Sequence, residues 1–245
     1  SKLSKKTADK LHIVVRTKNL GIISQNVKDG KGEMRMPKPE DLAAIIYTSG
    51  TTSQPKGVML THYNLCSQLE MIDKLFMVYE TDIFLSVLPL AHTYECTIGL
   101  ILALYHGSHV VYLDKAPTVS TLLPALKEVR PTIMLTVPLI IEKIYRGAVL
   151  KKFTSNAFMR TLYGVGFIRR FLHRMAGKTL TKTFGGRVRF FGIGGAKLDS
   201  TVEQFLLEAK FIYDIGYGLT ETAPLLAGAV DGMLRLGSTG PLLQG

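Results

Sequence analysis

Short apolar runs of strand length alternate with longer amphipathic stretches along most of this chain, and no other property of the sequence narrows its fold as far. From residue 41 onward, strand-like runs fall at 43–47, 83–88, 109–113, 132–137, 187–193 and 211–213, and helix-like stretches fill intervals at 62–78, 118–129, 138–150, 155–176 and 199–209. Strands separated by helices build βαβ units, so the pattern predicts an α/β fold, a mostly parallel sheet with flanking helices. Pro131 and Pro138 bracket TIMLTV and are expected to stop the helices on either side. Asp199 and Ser200 supply capping residues for TVEQFLLEAK, with Glu203 at capping-box distance from Ser200. Residues 1–40 are polar and lysine-rich and read as a lead-in to a main unit at 41–245.

The stretch YTSGTTSQPKG at 47–57 follows the apolar run AAIIY, which reads as a buried parallel strand. It gathers the hydroxyls of Thr48, Ser49, Thr51 and Thr52 around Gly50 and adds the Lys56 ammonium. Phosphate oxygens accept hydrogen bonds strongly, so hydroxyls, backbone N–H groups and one cation in a small arc suit a triphosphate tail. A Walker loop is excluded, because Lys56 precedes Gly57 and the apolar Val58, Met59 and Leu60 follow.

The same stretch resembles the phosphate-binding signature of the AMP-forming acyl-CoA synthetases, adenylation domains and luciferases, with Ser53 where the family has glycine. Two segments extend the resemblance in the family's order: FFGIGGAKL at 190–198 and YDIGYGLTET at 213–222. A further one, LPLAHTYECTIG at 88–99, is similar to the long-chain fatty acyl-CoA synthetases in particular. The resemblance implies ATP and AMP binding by Thr48, Ser49, Gly50, Thr51, Thr52, Lys56, Gly195, Ala196, Lys197, Tyr217, Gly218 and Thr220. Tyr217 would stack on adenine, and Thr220 would bond the α-phosphate. Thr48 and Glu221 would hold Mg²⁺, and His92, Gly194 and Gly216 would border the acyl group. Thr48, Lys56, Thr220 and Glu221 form the implied catalytic set. Ile215 stands where the family has a polar contact to the adenine amine, which leaves adenine recognition to backbone groups.

The implied activity is ATP-dependent conversion of a carboxylic acid, of the long-chain fatty acid class, to an acyl-adenylate and then to a thioester of coenzyme A. Rival readings are an adenylation domain that serves a carrier protein and a non-catalytic nucleotide- or acyl-binding homologue. The resemblance covers 41–245. The family's ribose-binding Asp and C-terminal domain with its catalytic lysine are not found in this stretch, so the chain reads as part of a larger enzyme, inactive alone.

Composition sets the remaining bounds. A hydrophobic content of 47% supports a real core. Cys66 and Cys96 form no CxxC pair, and the start carries no secretory signal, which fits a reducing, cytoplasmic setting. No apolar run approaches the roughly 18 residues of a membrane span. His106 and His109 lack partners at ligand spacing, so no structural zinc is read. The net charge is +11, and from Lys143 to Leu198 there are thirteen Lys and Arg residues with no Asp or Glu. Three readings compete for that span: a solvated basic face, an attractor of coenzyme A phosphates or of an anionic membrane at its inner face, and a nucleic-acid surface. The last lacks any accompanying motif.

Overall fold

Successive side chains of a strand point to opposite faces, and in this protein both faces of the central strands are apolar. The computed structural model describes residues 13–15, 22–25, 36–48, 54–230 and 232–244. The chain divides into Ser1–Pro37 and Lys38–Gly245. In the first unit, β1 (Ile13–Val15) pairs antiparallel with β2 (Ile22–Gln25).

In the second unit the strands β5 (Ile83–Ser86), β6 (His109–Tyr112), β7 (Ile133–Thr136), β8 (Phe190–Ile193), β9 (Asp214–Gly218) and β10 (Leu225–Ala229) form one sheet. Their order is β6-β5-β7-β8-β9-β10, parallel throughout except for β10, which runs antiparallel to β9. Phe84, Ile133, Leu135 and Phe190 enter one core, while their chain neighbours Leu85, Met134 and Phe191 enter the other. Helix α1 (His62–Leu75) and the π-helical turn Glu95–Ile101 with α2 (Leu102–Tyr105) cover the first face. On the second face lie α3 (Val119–Val129), α4 (Pro138–Ile144), α7 (Gly166–Thr183) and α8 (Ser200–Ala209). The π turn Tyr145–Leu150 leads from α4 into α5 (Lys151–Phe153) and α6 (Ala157–Gly164). The expected α/β fold is therefore present, as helix, sheet and helix layers.

Several local expectations fail for identifiable reasons. The run at 43–47 is not a buried parallel strand. It lies in β3 (Leu42–Thr48), which pairs antiparallel with β4 (Lys56–Thr61) in a separate two-stranded ribbon. The residues Phe211–Tyr213 bury Phe211 and Tyr213 in a loop, and β9 begins one residue later. The segment at 155–176 is two helices, α6 and α7, meeting at Val165. Pro138 opens α4 at its first turn, where its missing N–H costs nothing. Asp199 alone caps α8, accepting from the N–H groups of Thr201 and Val202 at 2.9 and 3.2 Å. Glu203 instead accepts from Gly237 N–H at 3.0 Å.

Candidate active site

The carboxyl end of β8 lies beside the beginning of β9, because Ile193 pairs with Ile215, and β9 runs on past it to Gly218. The loop after β8 carries Gly194, Gly195, Ala196 and Lys197. Gly194 is buried and donates to the Thr136 carbonyl at 3.1 Å, while the next three residues are exposed. Gly195 has a φ of 85°, a conformation that strains any side-chain-bearing residue. Beside this loop, Gly216, half-exposed Tyr217 and Gly218 form the end of β9. Tyr217 and the Gly195–Lys197 backbone thus flank one opening, an arrangement suited to a flat heterocycle.

A tight turn follows. Residues Thr220–Thr222 make one turn of 3₁₀-helix and lie against β4, the strand that begins with Lys56. Thr222 pins this turn. Its hydroxyl accepts from Leu219 N–H at 2.9 Å and donates to the Pro224 carbonyl at 2.6 Å. Leu219 N–H also donates to Pro224 at 3.0 Å. A Cβ on Gly218 would fall on that same carbonyl oxygen, so glycine is required there. Behind the turn, the buried Gln68 of α1 holds both backbone groups of Leu225. Its amide donates to the carbonyl at 3.0 Å and accepts from the N–H at 2.9 Å.

The phosphate-loop candidates are reached only at their edges. Thr48 closes β3, and its hydroxyl donates to the Lys56 carbonyl at 3.5 Å. Lys56 and Gly57 are exposed. Ser49, Gly50, Thr51, Thr52 and the irregular Ser53 lie outside the described residues. Since the turn Thr220–Thr222 rests on β4, the fold brings Thr220 and Glu221 to the ribbon that bears Thr48 and Lys56.

Glu221 is exposed, and among the described residues no Lys, Arg or His lies within ion-pair distance of it. One free carboxylate, on a turn that rests on the ribbon bearing Thr48, is of the kind Mg²⁺ takes, since that ion uses few protein oxygens and keeps waters and substrate phosphates as its other ligands. No cluster of three or more His, Cys, Asp or Glu side chains of metal-site geometry occurs among the described residues, so a closed structural site is not indicated there.

Beneath the opening lies a small apolar cavity of about 20 Å³ between Tyr94, Ile98, Gly192, Gly216 and Leu225. Its walls are tight. A Cβ on Gly192 would meet the Tyr94 hydroxyl at 2.7 Å, and one on Gly216 would meet Leu225 Cδ1 at 2.8 Å. Gly194 backs onto the Tyr94 ring, and Ile215 lines the cavity. His92 is exposed at the head of the same segment, accepting from Tyr94 N–H at 3.4 Å, and is not part of the cavity wall. Next to it Glu95 is buried, and burial pushes its carboxyl up to about 7 against the opposing Ser86 hydroxyl. A larger groove, about 870 Å³, lies at the carboxyl ends of β5, β6 and β7; it takes in Leu88, Pro89 and Leu90 of the 88–99 stretch but none of the individual site candidates. The motif-bearing opening is taken as the site because chemistry-bearing groups converge there, whereas the groove is mostly apolar.

Sequence reasoning missed Gln68, Tyr94, Thr222 and Leu225. Tyr94 and Thr222 lie inside the stretches at 88–99 and 213–222, at positions to which the resemblance gave no role, whereas Gln68 and Leu225 lie outside every motif, and Gln68 meets its partner across 157 residues of chain.

The model of the AMP-binding enzyme family matches residues 2–245. The peroxisomal long chain acyl-CoA synthetase 6 of Arabidopsis thaliana is 34% identical over 225 residues, covering 83% of this chain and 30% of that protein. Long-chain-fatty-acid–CoA ligase 4 of Saccharomyces cerevisiae is 32% identical over 81% of this chain and 30% of its own length. Among solved structures, O-succinylbenzoate coenzyme A synthetase from Bacillus subtilis in complex with ATP and magnesium superposes with a TM-score of 0.63 at 21% identity. The match covers 88% of this chain and 39% of that one, and it shows the shared fold. The chain spans about 30% of the length of these two curated relatives. From the family match across nearly its whole length, the chain belongs to the AMP-binding enzyme family.

Proposed function

We propose that this chain carries the nucleotide- and acid-binding part of a ligase that activates a long-chain fatty acid with ATP and passes the acyl group to coenzyme A. The observation that supports the reading is the meeting of the Thr220–Thr222 turn with β4. It sets a free carboxylate beside the strand pair that bears Thr48 and Lys56, next to the Tyr217 and Gly195–Lys197 opening. The apolar cavity lined by Tyr94 and Leu225 begins behind Gly216, where an acyl chain would enter. Its volume, about 20 Å³, gives room for about one water, so admitting an acyl chain requires walls such as Tyr94 or Leu225 to move.

In the first half-reaction a carboxylate oxygen of the acid attacks the α-phosphorus of ATP, and pyrophosphate leaves with the electrons of the broken P–O bond. The Lys56 ammonium and the hydroxyls of Thr48, Ser49, Thr51 and Thr52 would hold the β- and γ-phosphates, and the Thr220 hydroxyl the α-phosphate. Tyr217 would stack on adenine. Mg²⁺, held by Glu221 and Thr48, would offset negative charge on the phosphates. In the second half-reaction the thiolate of coenzyme A attacks the acyl carbonyl and AMP leaves. His92 and Gly194 would border the acyl group as it is transferred. A C-terminal domain of the same chain, supplying a lysine for adenylation, belongs to this proposal. So do a cytoplasmic place of action and peripheral contact with the inner face of an anionic membrane. Among the described residues no helix is long and apolar enough to cross a membrane.

Acid-dependent exchange of pyrophosphate into ATP by the full-length enzyme tests the assignment. Glu221→Gln is expected to lower exchange by at least about a hundredfold, in the range seen when an electrostatic contact to the reacting phosphate is lost. Near-normal exchange in that variant would overturn the metal role.

A further inference from the structure

Helix α7 turns His173, Gly177 and Leu180 inward. Gly177 is packed so closely on the carbonyl of Ala209 that no side chain would fit. Glu208 of α8 fastens the same side, contacting His173 Nδ1 at 2.8 Å and accepting two bonds from Arg169 at 2.9 and 3.2 Å. The orientation of α7 is therefore fixed, and so is what it shows to solvent.

On the opposite side, at helical spacing, stand Phe167, Phe171 and Met175, which are 76%, 63% and 54% exposed. Arg174, Lys178 and Lys182 form a parallel row on the same face, all exposed. Among the described residues none of the three has an acidic group within 4.0 Å. Helix α6, which buries none of its residues, adds exposed Phe158, at 71%, and exposed Arg160 on another side of the same helix. Single exposed apolar residues are common on soluble proteins, but four large ones on two consecutive helices, surrounded by cations with no acid, form an unusual surface.

We propose that the outer face of α6 and α7 lies on an anionic lipid bilayer, with the aromatic side chains at the headgroup–acyl boundary and the Arg and Lys side chains at the lipid phosphates. The charge selects an anionic surface. The phenylalanines select a bilayer over a soluble polyanion, because a helix with apolar and basic rows on one face sits in the plane of an interface. Eighteen residues make α7 about 27 Å long, so the whole row can contact a flat surface at once. This placement deepens the proposed activity, since it would bring the protein to the phase in which a long-chain acid accumulates, and it rests on that reading only for its purpose.

Sedimentation of the full-length protein with vesicles, without nucleotide or acid, tests it. The probes are phosphatidylcholine alone and an equal mixture of phosphatidylcholine and phosphatidylserine. Binding is expected to the mixture and not to phosphatidylcholine. The triple variant Arg174→Gln/Lys178→Gln/Lys182→Gln is expected to bind the mixture on the order of a hundredfold more weakly, at about fivefold per cation. Phe167→Ser/Phe171→Ser/Met175→Ser is expected to lose at least about tenfold by losing its inserted groups. Lys38→Gln/Lys115→Gln/Lys127→Gln removes equal charge elsewhere and is expected to retain binding. Equal binding to both vesicles, no loss in the apolar triple, or the same loss in the control triple would each overturn the proposal. So would an oligonucleotide bound as tightly as vesicles and indifferent to the apolar triple, which would assign the face to nucleic acid. None of these outcomes touches the pyrophosphate exchange that tests the ligase, so either reading can fail alone.

Discussion

The ribbon that bears the phosphate-loop candidates and the turn that bears Glu221 meet across the site, and they are built by different means. In the ribbon, β3 and β4 bond to each other, and Ile45, Tyr47 and Met59 stand exposed on one side while Leu60 is buried on the other. Two strands covered on a single face are marginal by themselves. The turn from Leu219 to Leu225 is instead fastened at close intervals by Thr222, by the Pro224 carbonyl and by both ends of the Gln68 amide. Parts with many buried bonds open rarely, and parts with few open readily. The turn is thus held in place by its own bonds, whereas β3 and β4 have fewer such ties to the rest of the fold. Helix α1 connects the two, since Thr61 at the end of β4 caps it and Gln68 lies in its second turn.

The largest effect should come from filling the tightest point of the turn. Gly218→Ala places a methyl group on the Pro224 carbonyl, where backbone must move. It is expected to destabilise the protein by about 3 kcal/mol, the upper part of the range for overpacking, and to displace Thr220 and Glu221 with it. A urea-unfolding midpoint unchanged from that of the parent would show that the turn yields easily, and the contrast with the ribbon would be lost.

Gln68→Leu is expected to cost less, about 2 kcal/mol, by leaving the buried N–H and carbonyl of Leu225 without their side-chain partners. Because Gln68 acts at a distance from the phosphate ribbon, the variant sharpens the comparison in a second way. In the full-length enzyme the KM for the acid should rise more than the KM for ATP, since Leu225 lines the apolar cavity. Equal changes in both would mean that the ribbon and the turn are disturbed together through α1.

This division also explains what could be read from the sequence. The central strands were legible because each is a short apolar run separated from the next by a helix, and buried parallel strands need no alternation. The antiparallel partner β4 was not, since KGVMLT follows the hydroxyl-rich stretch so closely that it reads as the loop's exit. The π turn and α2 escaped because ECTIGLILALY is apolar on nearly all sides and offers no amphipathic period. In the site, Tyr217, Gly218, Thr220 and Glu221 were legible as a contiguous motif. Gln68 was not, because its role arises from a contact across 157 residues of chain and nothing in its neighbourhood marks it; Tyr94 lies inside the 88–99 stretch, but its place in the cavity wall arises from packing on Gly192 and Gly194.

The smallest effect is expected in the ribbon itself. A Cβ on Gly57 would lie 2.9 Å from Ile45 Cγ2 and 3.5 Å from the Tyr47 ring, both on the exposed side. The near neighbour is the end of a half-exposed side chain rather than backbone, so it can rotate away, and alanine also restricts the unfolded chain more than glycine does. The two contributions oppose each other, and Gly57→Ala should change stability by no more than about 0.5 kcal/mol in either direction, as at other open surface positions. Urea unfolding of this variant beside Gly218→Ala provides the direct comparison. A loss for Gly57→Ala as large as that for Gly218→Ala would mean that the ribbon is packed as rigidly as the turn.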